Sequence, residues 1–102
     1  MPQFLVIAHD GSDAQAPARR QAARAAHLEG VRPMVERGEI VVGGAILDEA
    51  GRMVGSAVVV DMPDRAAVDA WLARDPYVTG DVWRTVEVRP FRIAVEQGAK
   101  GS

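Results

Sequence analysis

Apolar residues gather along the chain in short runs and in stretches of helical spacing, and the two kinds alternate. Phe4-Leu5-Val6-Ile7-Ala8 is short and apolar and stops at the turn-forming His9-Asp10-Gly11, which predicts a first strand over Phe4–Ala8. From about Ala18 to Arg37 the chain is rich in Ala, Arg, Glu and Leu, all good helix formers. Leu28, Val31 and Val35 recur there at helical spacing, and His27, four residues before Val31, borders the same stripe. Pro33 lacks an N–H and crowds the preceding turn, so a kink or break is expected at it, with Gly38 as the stop. A second strand is predicted over Ile40–Leu47, with Gly43-Gly44 marking a bulge or the close approach of another group. Asp48-Glu49-Ala50-Gly51 has the composition of a hairpin turn, and Met53–Asp61 that of a third strand. Asp64 is placed to cap a second helix with Val68, Trp71 and Leu72 on one face. That helix ends near Asp75, because Pro76 drives its predecessor out of the helical region. A fourth strand is predicted over Val82–Val88, stopped by Pro90.

The order β-α-β-β-α-β is that of the split βαβ, or ferredoxin-like, arrangement: an α+β fold with an antiparallel sheet and two helices on one face. Strands one to three do not alternate cleanly between apolar and polar residues, and continuous apolar runs mean that both strand faces are covered. Two helices cover one face. A second copy of the chain would cover the other, so a homodimer with sheet facing sheet is expected. Residues 1–94 form the expected domain, and the tail from Val95 to Ser102, with Gly98 and Gly101, is expected to fray.

Composition narrows the class. The 102 residues make one domain, 48% apolar and 25% charged, as in globular proteins. The net charge of −2, without clustered Lys or Arg, argues against a nucleic-acid surface. With no cysteine, disulfides and thiolate metal sites are ruled out. Met1-Pro2-Gln3 and the short run after it lack the pattern of a secretory leader, and no apolar segment is long enough to span a membrane. A cytoplasmic protein with no membrane partner is expected.

Few side chains have catalytic capacity. The two histidines, His9 and His27, do not stand at helical ligand spacing, so no metal is expected. Gly43-Gly44 does not open a helix and so fails as a phosphate loop, and Gly55-Ser56 lacks the second glycine of a nucleophile elbow. No cofactor is expected. Imidazole ordinarily titrates near neutrality, so His27 can take or give a proton, and Arg24 one turn earlier can hold an anion beside it. The competing reading is a histidine at the core edge, satisfied by a backbone carbonyl. Asp75 stands at the unfavourable negative end of a helix. Either a local turn bonds its side chain to nearby N–H groups, or a partner such as His27 or Arg24 offsets the cost. Tyr77 can offer a phenol to a ligand or pack on Trp71. Asp10 closes strand one beside the first helix, where polar groups can gather. Trp71 and Trp83 have the character of core or dimer packing.

Arg24-Ala25-Ala26-His27-Leu28 resembles the Arg-x-x-His-Leu stretch of the YCII-related family. Gly38, Gly43-Gly44, Gly51 and Gly55-Ser56 resemble its glycine pattern, Asp75-Pro76-Tyr77 its Asp-Pro-Tyr motif, and Val88-Arg89-Pro90-Phe91 its closing strand. The family often has Gly-Gly-Pro where this chain has Gly43-Gly44-Ala45. The resemblance covers about Phe4 to Phe91. It implies a dimeric α+β barrel of two ferredoxin-like subunits and a site built on His27 and Asp75. One branch of the family is similar to enzymes that remove chloride from hydroxylated aromatic rings. Together these expectations describe acid–base chemistry on a small polar or hydroxylated aromatic metabolite, by elimination (dehydrochlorination) or isomerisation. His27 and Asp75 would be catalytic, and Arg24, Asp10, Ser56 and Tyr77 would bind the ligand. A non-catalytic dimeric module that binds a small ligand, or an accessory protein, is the alternative.

Overall fold

The computed structural model describes residues 1–97. Its elements run β1 (Gln3–Asp10), α1 (Ala16–Glu36), β2 (Ile40–Leu47), β3 (Met53–Asp61), α2 (Arg65–Arg74), a short α3 (Pro76–Thr79) and β4 (Trp83–Phe91). The strands form one antiparallel sheet in the order β2-β3-β1-β4, the ferredoxin-like α+β arrangement.

Strand periodicity sorts the sheet's two faces. Phe4, Val6 and Ala8 of β1 pair directly with Val60, Val58 and Ser56 of β3, so these six side chains share a face. That face is buried under Met34 of α1 and Val68, Trp71 and Leu72 of α2. Burying each large apolar side chain there contributes roughly 1.5–3 kcal/mol. Leu5, Ile7, Ala57 and Val59 point to the opposite face, and Val42 joins them through its pairing with Val59.

Three local expectations are corrected by the structure, two of them through strand pairing. Strand one does not stop at Ala8. It is hydrogen-bonded on both sides, and pairing of His9 with Gly55 and Thr85, then of Asp10 with Trp83, carries it through Asp10. Helix α1 runs unbroken through Pro33. The proline falls in the last turn, and the carbonyl deprived of its partner belongs to Glu29, on the exposed side of the helix. Strand four continues past Pro90, which pairs with Phe4. In this sheet β4 is an edge, and a proline whose missing N–H faces outward removes no ladder bond. The irregularities of β2 fall between Ile40 and Val42 and between Ile46 and Leu47, not at Gly43-Gly44.

The predicted cap at Asp64 and hairpin turn at Asp48 are in place. Asp64 accepts from Ala67 N at 2.9 Å, and Asp48 Oδ1 accepts from Ala50 N and Arg52 N, each at 2.9 Å. Gly38 and Gly51 take φ of 79° and 84°. Val95 is exposed, while the part of the expected tail from residue 98 onward lies outside the described residues.

Candidate functional site

A cleft of about 380 Å³ opens between α1 and the helix-facing side of β2 and β3. One face of α1 makes its wall. Arg20, Arg24, His27, Val31 and Val35 follow one another at three- or four-residue steps, and all line the cleft. The N-terminal half of this stripe is basic and the C-terminal half apolar. Gly43, Ser56 and Val58 line the opposite wall, and Trp71 and Tyr77 also line it. A Cβ at Gly43 would stand 3.4 Å from the Val58 methyl groups, so glycine keeps that wall low.

His27 and Asp75 meet at the cleft. His27 Nδ1 lies 2.8 Å from Asp75 Oδ1, with the two side chains 12% and 2% exposed. Asp75 Oδ1 also accepts from Tyr77 N at 2.8 Å, and Oδ2 accepts from the Trp71 indole N–H at 3.1 Å. Both explanations for the helix-end carboxylate therefore hold at once. Asp75 ends α2, caps α3 in a local turn, and bonds to the imidazole. Because a carboxylate oxygen accepts, this network puts a proton on Nδ1, and in the neutral ring Nε2 is then the acceptor. Nε2 has no partner among the described residues. The imidazole stacks on the Tyr77 ring with centroids 3.9 Å apart and meets Trp83 edge-on at 5.8 Å, so its plane is set by packing as well.

A second polar cluster adjoins the pair. Arg20 Nη1 reaches Asp10 Oδ1 at 2.9 Å and Oδ2 at 3.0 Å, while Nη2 donates to Ser56 Oγ at 2.9 Å. The Arg20 and Asp10 side chains are 7% and 4% exposed. Arg20 lies over the Tyr77 ring, its Cζ 4.8 Å from the centroid, and its buried Nε has no partner. The Trp83 indole N–H also donates to Ser56 Oγ, at 3.2 Å. A β-bulge makes that contact. Ala8 pairs with Val86 and His9 with Thr85, but Asp10 pairs with Trp83, so Arg84 is the extra residue. The shift turns Trp83 onto the helix face beside Ser56. Next to it, a Cβ at Gly55 would strike the Ala8 carbonyl oxygen, so glycine lets β1 and β3 close up there.

Of the side chains expected at a site, the structure brings His27, Tyr77, Arg24 and Ser56 to the cleft wall, and Asp75 reaches it through His27. Asp10 reaches it through Arg20. Arg24 is exposed and joins none of the ion pairs that hold its neighbours. Burial pushes the Tyr77 phenol up from its ordinary value, against the pull of Arg20 and Arg24. Arg20 was not singled out from sequence, although it precedes Arg24 and His27 by four and seven residues, a signal that was there to read. Trp71 and Trp83 are buried, as packing residues would be, but each also donates a hydrogen bond into the site. Among the described residues no cluster of His, Cys, Asp or Glu could hold a metal ion, and no helix is long and apolar enough to cross a membrane.

The family model of the YCII-related domain matches residues 2–92, which takes in every residue of the cleft. The chain belongs to the YCII-related family. Among curated family relatives, Protein YciI of Escherichia coli O6:H1 is 28% identical over 95 residues, covering 87% of this chain and 95% of that one. An uncharacterized protein of Haemophilus influenzae is 33% identical over 81 residues, covering 72% of this chain and 82% of its own. Among solved structures, the 5-chloro-2-hydroxyhydroquinone dehydrochlorinase TftG of Burkholderia phenoliruptrix AC1100, in complex with 2,5-dihydroxybenzoquinone, superposes with a TM-score of 0.76. It is 22% identical, with 88% of this chain and 93% of that one covered. A dimeric ferredoxin-like protein of unknown function from Jannaschia gives a TM-score of 0.52 at 15% identity, covering 91% of this chain and all of that one. At these identities the structural likeness is one of fold.

Proposed function

We propose that this chain is an enzyme of acid–base chemistry that needs no cofactor and acts on a small polar or hydroxylated aromatic metabolite in the α1 cleft. The observation that carries the reading is the Asp75 carboxylate, which holds His27 by Nδ1 and leaves Nε2 as an acceptor at the cleft. In this reading His27 Nε2 takes a proton from the substrate, and Asp75 orients the ring and stabilises the imidazolium that forms. Arg24 holds an anionic or phenolic oxygen, and Tyr77 supports the imidazole from its face. In an elimination, the proton passes to Nε2, the electrons of its former bond form a new double bond, and a leaving group such as chloride departs with its own pair. In an isomerisation, the imidazolium returns the proton to a different carbon. The dehydrochlorinase activity of the TftG neighbour supports the eliminating version and suggests the first compound to try.

The test is chloride release from 5-chloro-2-hydroxyhydroquinone by the protein and by His27→Gln. A positioned base contributes roughly a hundred- to ten-thousand-fold, so His27→Gln should lose at least a hundredfold in rate with its fold intact. Equal rates for the two proteins would sink the reading. Ligand binding without turnover of this compound or of related hydroxylated rings would favour a binding module instead.

We further propose that the chain is a homodimer through the open sheet face. Leu5, Ile7 and Val59 are half-buried there in one chain, and Val42 is 61% exposed. The dimeric description of the Jannaschia neighbour supports the same arrangement.

A further inference from the structure

Within the cleft, Ser56 holds a hydrogen-bonding capacity that the fold leaves unspent. Its Oγ accepts from Arg20 Nη2 at 2.9 Å and from Trp83 Nε1 at 3.2 Å. A serine oxygen has two acceptor sites, and a guanidinium and an indole can only donate. Both acceptor sites are therefore taken, and neither bond can be reversed. The hydroxyl proton is what remains, and no acceptor receives it among the described residues. Ser56 is 5% exposed and lines the cleft, so the acceptor for that proton has to come from what occupies the cleft.

The donors around it are fixed in turn. Asp10 holds Arg20 with both carboxylate oxygens, and Trp83 is buried and seated by the β4 bulge. A hydroxyl oxygen that accepts from a cation becomes a stronger donor through its own O–H. The cluster as a whole is a device that converts a buried arginine charge into a neutral, directed O–H donor. Nothing in the acid–base role of His27 uses it.

We propose that Ser56 is the residue that selects the ligand's acceptor group: its hydroxyl donates to a carbonyl or oxyanion oxygen of the bound molecule. This rests on the cleft being the ligand site, as proposed above. It adds a rule of specificity. A ligand must present an acid for His27 Nε2 and an oxygen acceptor for Ser56, and one that offers an N–H or a methyl group to Ser56 is rejected, because the O–H would stay unpaired.

The test uses 2,5-dihydroxybenzoquinone as probe, with affinity read by calorimetry and the ligand's visible absorption band read in the same titration. Ser56→Ala should weaken binding about ten- to hundredfold, the range for a hydrogen bond involving a charged group. It should also abolish the shift of the band that an oxygen-directed donor causes. Ser56→Thr keeps the hydroxyl and should restore both. Ser56→Ala strands two buried N–H donors, so Ser56→Cys, of similar volume but a weak donor, carries the test should the alanine variant fail to fold. Unchanged affinity and band in the alanine or cysteine variant would overturn the proposal, as would a protein that does not bind the quinone at all. The catalytic reading fails separately: it falls if His27→Gln turns substrate over, whatever Ser56 does to binding.

Discussion

Residue chemistry at this site is a matter of which hydrogen-bonding capacities are used up. Asp75 receives three N–H donors, Ser56 receives two, and His27 keeps one nitrogen free. Tyr77 lies between the two clusters, stacked on His27 and under Arg20. Its phenol is pushed up chiefly by burial, with Arg20 and Arg24 opposing. The sign on stability follows. The unfolded chain ionises its tyrosine first, so the folded state is at full strength below about pH 10 and weakens as pH climbs through the raised folded value. Tyr77 is the single tyrosine of the chain, so tyrosinate absorbance reports it alone. That titration should fall above the ordinary value and move further up in Arg24→Gln, which removes an opposing cation. A midpoint at or below the ordinary value would contradict the burial described here. His27 as a candidate was legible from residue type and from its place beside the apolar stripe. Its tautomer was not, because that depends on Asp75, 48 positions away.

At the scale of elements, α1 acts as a ruler. A stripe that in most amphipathic helices packs into a core here forms the wall of a cleft, with Leu28 and Val35 still 40% and 52% exposed. Sequence spacing located the stripe, but a stripe has the same period whether sheet or ligand faces it. The opposite wall depends on the absence of a side chain at Gly43. Gly43→Val should keep the fold, since β2 is an edge strand and valine favours strands. Its extra atoms would enter the space beside Val58, and overpacking of roughly 1–3 kcal/mol would cut quinone affinity about ten- to hundredfold. Calorimetric titration together with a thermal melt checks both halves. A variant that binds as tightly as the parent would place the ligand elsewhere. The β4 bulge was invisible to pattern reading. A one-residue offset leaves the apolar run of Val86 and Val88 unchanged and shows itself in the pairing of Asp10 with Trp83.

For the whole molecule, the open sheet face is where the proposed dimer would form. Leu5, Ile7, Ala57 and Val59 form its centre, and Val42 stands on the edge strand next to it. Val42→Lys places a charge on a side chain already 61% exposed in the single chain, so it should alter monomer stability by no more than about 0.5 kcal/mol. Across a sheet-to-sheet interface the same charge would be desolvated without a partner. Sedimentation should therefore show a dimer for the parent chain and a monomer, or a much weaker dimer, for Val42→Lys. A parent chain that sediments as a monomer would remove the interface from consideration.

The sequence by itself determined the order of the strands and of the two longer helices, the cap at Asp64, the turn at Asp48 and the two apolar faces of the strands. These are set by contacts within a few residues or by a period of two or 3.6, and such signals survive in one dimension. Tertiary structure alone decided where the strands end and that Arg20 is buried against Asp10 and Ser56. It also decided that His27 joins the two local donors on Asp75. Each of these depends on groups far apart in the chain meeting in a medium where an unpaired charge or N–H is costly. Residue types can name the candidates for such a meeting, while the fold chooses among them.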